Sequence, residues 1–331
     1  MKQANSFHSL ATCGVVAALV FPLAACGAPS AGEEAPAEAG ETRTVTHMYG
    51  ETEIPADPRN VVSVSVTATS ALLSLDVPVT ASATTAPSAL TDDNGFFAQW
   101  AEAADERGVQ PLAGPEVDIE EVASAQPDLI VGNGFGADAV DEAVYEQLSQ
   151  VAPTVVYGES DMAWLDVTDQ YAEAFDRQDR AAEIAEEYER LVADTSGRLS
   201  AEHDVVILTG TPSGFNVFTE ESAQGRLATD LGLTLHELPG DLAAPSAQGG
   251  SGRGDIVQVT TERASDFGDS TLLFVNTQGQ EPEDYLETAP VLENLSAWED
   301  GRVLTLGATS FRMDYYSVPL AAERLAEVLG S

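Results

Sequence analysis

The sequence predicts an α/β fold in which two halves flank one long helix, and three observations carry that reading. Short β-branched runs alternate with helix-forming stretches along residues 44–178 and again along 201–331, the order expected of βα units built on mostly parallel sheets. Residues 179–199 break the alternation. There Ile184, Tyr188, Leu191 and Val192 recur at helical spacing with Glu and Arg between them, a helix of roughly 20 residues or about 30 Å. Finally, 331 residues with 44% hydrophobic content are enough for two compact lobes.

Each element follows from a local pattern. Residues 44–54 alternate and turn at Gly50-Glu51, an edge hairpin, and Pro55 and Pro58 then mark a turn. The run 61–66 is β-branched and of strand length, 71–75 carries helix formers, and 79–83 reads as a second strand. A helix over 115–126 places Ile119, Val122 and Ala123 on one face and stops at Pro127, before a buried strand at 128–131. A helix at 139–150 and a strand at 154–157 complete the first half. Beyond the long helix the expected elements are strands 205–209 and 215–219, helix 222–231, strands 272–275 and 303–306, and helix 318–329.

The chain opens with Met1-Lys2, an uncharged apolar stretch at 10–23, and then Leu23-Ala24-Ala25-Cys26. The apolar stretch is too short to stay as a membrane span. Small residues before a cysteine predict a lipoprotein signal, with Cys26 acylated and residues 1–25 removed; an ordinary secretory peptide that happens to contain Cys26 is the other reading. Residues 26–43 form an acidic, Gly-, Pro- and Ser-containing tether. The N-terminal lobe then covers 44–178, the bridging helix 179–200 and the C-terminal lobe 201–331. Only two cysteines occur, Cys13 in the signal and Cys26 at the lipid site, so the mature chain has no intramolecular disulfide.

The net charge is −41, and Lys2 is the only lysine. Such a surface excludes nucleic acid and anionic lipid headgroups as general partners and makes any arginine in a cleft conspicuous. Enzyme signatures are missing: Gly132 to Gly136 lacks the dinucleotide spacing, Gly249 to Gly254 lacks a Gly-Lys-Ser/Thr ending, and Ser213 is not in a nucleophile elbow. The mature histidines His47, His203 and His236 are scattered and predict no transition-metal cage. One constellation stands out. Ser310-Phe311-Arg312-Met313-Asp314-Tyr315-Tyr316-Ser317 puts an arginine and two tyrosines between a strand and the last helix, where α/β loops face a binding crevice. Locally, two readings stay open: Arg312 in the crevice, or Arg312 paired with Asp314 on the surface while the tyrosines pack.

From residue 44 to 329 the chain resembles the substrate-binding lipoproteins of iron–siderophore ABC importers, and within them the ferric-enterobactin (catecholate) branch. The resemblance is carried by the Ile-Pro-Ala-Asp-Pro-Arg-Asn-Val-Val run at 54–62, Asp92-Asp93-Asn94-Gly95-Phe96 with Gln99-Trp100, and Gln126-Pro127-Asp128-Leu129-Ile130. The block at 145–154, Thr219 to Arg226 and Phe311 to Ser317 continue it. It implies a class III periplasmic-binding-protein-like fold, two Rossmann-like lobes joined by one bridging helix, with ligand in a shallow interlobe cleft. It implies a non-enzymatic, lipid-anchored extracytoplasmic monomer, on a Gram-positive-type surface or in a periplasm, that hands a ferric siderophore to a membrane permease. The siderophore carries its own iron, so no intrinsic cofactor is expected. Ligand contacts implied are Arg312, Arg253, Phe218, Tyr315, Tyr316 and Phe135. Two positions depart from the pattern: Ala68 and Ala89 stand where a relative has tryptophan and arginine. Family members dock on the permease through one exposed glutamate per lobe, and Glu120 and Glu262 match those positions. Haem or a corrinoid, which the same fold accepts, and a siderophore hydrolase remain the rival readings.

Overall fold

The computed structural model describes residues 41–330, apart from 115, 137, 159–162, 243–253, 276–278 and 288. The expected signal peptide, the acylated Cys26 and Arg253 lie outside the described residues. An antiparallel hairpin of β1 (Thr42–His47) and β2 (Gly50–Pro55) comes first. It turns at residues 48–49 rather than at Gly50-Glu51, because Gly50, with φ of 114°, already pairs with His47.

The first lobe is built on a five-stranded parallel sheet: β3 (Val61–Ser63), β4 (Val79–Ser82), β5 (Gln110–Pro111), β6 (Leu129–Asn133) and β7 (Thr154–Tyr157), in the order β5-β4-β3-β6-β7. Its helices are α1 (Val66–Ser74), α2 (Ala98–Glu106), α3 (Ile119–Ser124), α4 (Glu142–Leu148) and α5 (Trp164–Phe175). The β-branched run expected to be a strand over 61–66 stops after Ser63. Ser65, extended at φ −143°, accepts hydrogen bonds on its side chain from the amides of Thr67 and Ala68 and starts α1 inside the run; an N-cap outweighs the β preference of valine. The helices expected over 115–126 and 139–150 are shorter for the same reason. Asp118 accepts from the amides of Glu120 and Glu121, and Asp141 from that of Val144, so each helix begins only there.

Asp176, in the left-handed region at φ 56°, ends α5. The long helix follows as α6 (Gln178–Ser196), 19 residues and about 28 Å at the usual rise. Its first half buries Ala181 and Ile184 in the first lobe's core, and its second half packs Tyr188, Leu191 and Val192 on the second lobe's core. One amphipathic helix thus serves two cores.

The second lobe holds β8 (Val205–Thr211), β9 (Gly214–Phe218), α7 (Ala223–Asp230), β10 (Ile256–Thr260), β11 (Thr271–Phe274), α8 (Ser296–Glu299), β12 (Val303–Thr305) and α9 (Ser317–Leu329), with 3-10 turns between several of them. Strand order is β10-β9-β8-β11-β12. This sheet is mixed: β9 runs antiparallel to both β8 and β10, while β8, β11 and β12 are parallel. The β8–β9 turn closes at Gly214, φ 151°, where a Cβ would sit 2.1 Å from the Val259 carbonyl oxygen. Two α/β lobes and one long connecting helix are the architecture the sequence predicts. Among the described residues, no helix is long and apolar enough to cross a membrane.

Candidate functional site

A cleft of about 470 Å³ lies where loops at the carboxyl ends of both sheets converge. The first lobe contributes the opening turn of α1 (Val66, Thr67, Ser70, Ala71), Phe97 ahead of α2, Phe135 after β6, and Trp164 on α5. From the second lobe come Phe218 at the end of β9, the start of α7 from Glu221 to Gln224, Asp255, and the loop from Phe311 to Tyr315. Ligand crevices of α/β folds form at such strand ends. A wider concavity of about 680 Å³ lies between β1, β7 and α5 and is lined by Arg43, His47, Tyr157 and Glu173. The interlobe cleft is the candidate site because both lobes and six aromatic residues, Phe97, Phe135, Trp164, Phe218, Phe311 and Tyr315, line it.

Arg312 dominates the charge of this cleft. Its Nη1 donates to Thr67 Oγ1 at 2.7 Å, and its guanidinium carbon lies 5.1 Å from the centre of the Phe97 ring. Both partners belong to the opposite lobe. Among the described residues no carboxylate forms an ion pair with it, whereas most other arginines are paired. The surface pairing with Asp314 is therefore absent. Thr67 Oγ1 itself donates to Asp138 Oδ1 at 3.2 Å, so the contact is backed by a carboxylate that also accepts from the Thr67 amide at 3.1 Å. Glu221 and Asp255 line the second-lobe wall, and Arg312 is the one cationic side chain among the described lining residues.

The Arg312 loop is held rigidly. Gln224 Nε2 donates to the carbonyls of Ser310 (3.0 Å) and Phe311 (2.8 Å), and Ser317 Oγ donates to the carbonyl of Arg312 at 2.8 Å. Asp314 is buried. Its Oδ1 accepts from the amides of Tyr316 (3.0 Å) and Ser317 (2.8 Å), and its Oδ2 from Gln99 Nε2 of the first lobe at 3.3 Å. Burial pushes its carboxyl above the usual aspartate range despite these donors. The folded chain thus binds this proton more readily than the unfolded chain, so the stabilisation is fully present below the ordinary carboxylate range and is lost as pH rises through the folded value. Asp314→Asn keeps the Oδ1 acceptor and removes that titration. Thermal unfolding from pH 4 to 7 is expected to show the variant gaining on the wild type as pH rises; parallel curves would refute it.

Of the residues singled out from the sequence, Arg312, Phe218, Phe135 and Tyr315 line the cleft. Tyr315 turns its hydroxyl away from it, donating to Glu187 Oε2 on α6 at 2.8 Å and accepting from Arg180 Nη2 at 3.0 Å. Tyr316 is not among the lining residues. It packs against the first lobe's core and edge-on against Tyr315, and burial pushes its phenol up to about 12. Glu120, in the first turn of α3, and Glu262, in the first turn of the 3-10 helix Thr261–Phe267, are both exposed. Hydrogen bonds from its own backbone amide and from Thr260 and Thr261 hold the Glu262 carboxyl below its usual range. Sequence reasoning missed Trp164, Phe97 and Thr67. For Trp164 a signal existed: Trp164, Thr168, Tyr171, Ala172 and Phe175 sit at helical spacing. Among the described residues, no group of three or more His, Cys, Asp or Glu side chains is placed to hold a metal ion.

Residues 63–309 match the family model described as periplasmic binding protein. The ferric enterobactin-binding periplasmic protein FepB of Escherichia coli O6:H1 is 34% identical over 287 residues, spanning 86% of this chain and 89% of that protein. Among solved structures, holo-ViuP superposes with a TM-score of 0.74 at 28% identity, covering 87% of this chain and 95% of its own. The siderophore-binding protein BauB, solved with two acinetobactin molecules and ferric iron, shares the fold at a TM-score of 0.60 and 18% identity, covering 87% and 99%.

Proposed function

Because the chain belongs to the periplasmic binding protein family, we propose that it is the extracytoplasmic receptor of an ABC importer, capturing a ferric siderophore of catecholate type and delivering it to the membrane permease. The observation that carries the reading is Arg312, an arginine with no carboxylate partner among the described residues, held over Phe97 in an aromatic-walled interlobe cleft. Three deprotonated catecholates around Fe(III) make a trianion with flat aromatic faces. A planar guanidinium disperses that charge through several donors, and Phe135, Phe218 and Phe311 offer apolar contact to the rings. Arg253 is assigned the second cationic contact. Iron arrives as cargo inside the ligand, so the receptor performs no chemistry on it. It works as a monomer, held at the membrane by acyl chains on Cys26 and a flexible tether, and docks on the permease through Glu120 and Glu262.

The test is a titration of the purified protein with ferric enterobactin, a ferric hydroxamate, haem, cobalamin and free metal ions, following tryptophan fluorescence. Trp164 lines the cleft, whereas Trp100 is fully buried and Trp298 packs against a core cluster of the second lobe away from the cleft lining. Ferric catecholate is expected to quench strongly, and Trp164→Phe to remove most of that quenching while leaving affinity measured by iron retention nearly unchanged. Quenching by haem alone would refute the siderophore reading. Ester cleavage that disappears on mutating one serine would establish an enzyme instead.

A further inference from the structure

The bridging helix grips the ligand loop through one half-buried cation. Arg180, the third residue of α6, has a side chain only 21% exposed. Its Nε donates to the carbonyl of Ser74, the last residue of α1, at 3.1 Å. Nη1 donates to Glu187 Oε1 at 2.9 Å and to Glu183 Oε2 at 3.2 Å, while Nη2 donates to the Tyr315 hydroxyl at 3.0 Å. That hydroxyl closes the ring by donating to Glu187 Oε2 at 2.8 Å, and the guanidinium carbon lies 5.4 Å from the Tyr315 ring centre. First lobe, bridging helix and second-lobe loop therefore meet at one side chain.

The same loop reaches α1 a second time. Arg312, three residues before Tyr315, bonds Thr67 in the first turn of α1, and Arg180 holds the carbonyl at its other end. Thr67 and Ser74 are seven residues apart, about 10 Å along the helix. The loop is thus tied to both ends of one first-lobe helix, with Gln99 to Asp314 as a further tie. Hydrogen bonds between ionised groups are the strong ones, and a partly buried set is screened less than a surface pair. The charge state follows: the Arg180 hydrogen bond holds the Glu187 carboxyl below its usual range.

We infer that Arg180 is a positioning residue for ligand capture: with Glu187 it clamps the Tyr315 phenol, so that the loop bearing Phe311 and Arg312 stays docked on α1 and the cleft opening is set before ligand arrives. One face of Tyr315 lines the cleft while its hydroxyl belongs to the clamp, which makes this residue the coupling point. A cleft ordered in advance spares the ligand the entropy of ordering it. The consequence for affinity rests on the ferric-siderophore reading; the consequence for lobe geometry does not.

Two measurements decide the matter. Ferric enterobactin affinity is compared for wild type, Arg180→Met and Tyr315→Phe, each with and without Arg312→Ala. Tyr315→Phe keeps the ring and removes only the clamped hydroxyl, so it serves if Arg180→Met fails to fold. With Arg312 present, each change is expected to weaken binding about tenfold, and with Arg312→Ala less than about twofold, because residues acting through one another couple. In parallel, spin labels at Glu102→Cys on α2 and Glu299→Cys on α8, in the full chain with Cys13→Ser and Cys26→Ser, report interlobe distance without ligand. The clamp variants are expected to broaden a single narrow distribution. Equal losses of affinity in both Arg312 backgrounds, or an unchanged distance distribution, would overturn the inference. Failure of the wild type to bind any ferric catecholate would refute the functional reading, leaving the distance measurement to judge the clamp.

Discussion

Arg312→Ala is expected to weaken ferric-catecholate binding about thirtyfold, more than any other single arginine change, and the reason is scarcity as much as geometry. The chain carries 14 basic residues against 55 acidic ones, and Arg312 is the one cation among the described residues lining the cleft. A partly desolvated guanidinium–catecholate contact contributes about 2 kcal/mol, which is about thirtyfold in affinity. No other described lining residue can take over, since Glu221 and Asp255, on the same lobe as Arg312, are themselves acidic. Arg312→Lys is expected to fall between the two: it keeps the charge but loses the planar fork that spans Thr67 and the Phe97 face. The measurement is fluorescence titration at fixed ionic strength, because a trianion meeting so acidic a protein is sensitive to screening. Binding of Arg312→Ala within twofold of wild type would remove Arg312 from the ligand site.

What could be read from the sequence was whatever local pattern dictates. The spacing of Ile184, Tyr188, Leu191 and Val192 marked the bridging helix, and those residues are the ones that pack on the two cores. Strand 154–157 appears with the expected limits. Local signals failed where a side chain intervened in the backbone's choice: Ser65 halts a β-branched run by capping α1, and nothing in Val61 to Val66 announces that. The site was legible in its residue types and not in its connections. The Phe-Arg-Met-Asp-Tyr-Tyr run pointed to a crevice, but Arg312 meets Thr67 across 245 residues of sequence, and Tyr315 gives its hydroxyl to α6. Contacts of that range depend on how two sheets and a helix are set in space, which no window of sequence encodes. Tyr315 and Tyr316 are adjacent, chemically identical and both packed against the first lobe's core, yet only Tyr315 also lines the cleft.

Replacing Glu120 and Glu262 together with alanine is expected to leave ferric-siderophore binding in solution within about twofold of wild type while lowering iron uptake by cells tenfold or more, a split that rim charges acting on association would produce. The two positions are topological equivalents. Each glutamate opens the short helix that leads into the strand beside the lobe's first strand, α3 into β6 beside β3 and the 3-10 helix into β11 beside β8. Glu262 comes two residues after the carboxyl end of β10, and Glu121, beside Glu120, accepts from the amide of Ala113 just past β5, so the first turn of α3 lies at the carboxyl end of that strand. Both carboxylates therefore lie toward the crevice side, one per lobe, as the proposed docking on a permease requires. Neither forms an ion pair among the described residues, although many carboxylates of this acidic chain do. Complementary charge on the permease would steer encounter and fix register more than it adds affinity, and it weakens as salt rises. Single substitutions should each give a partial defect, since the remaining contact still orients one lobe. The uptake assay is to be run beside a binding titration of the same variants. Normal transport by the double variant would show that docking uses other residues, and lost binding in solution would show instead that the substitutions had disturbed the fold.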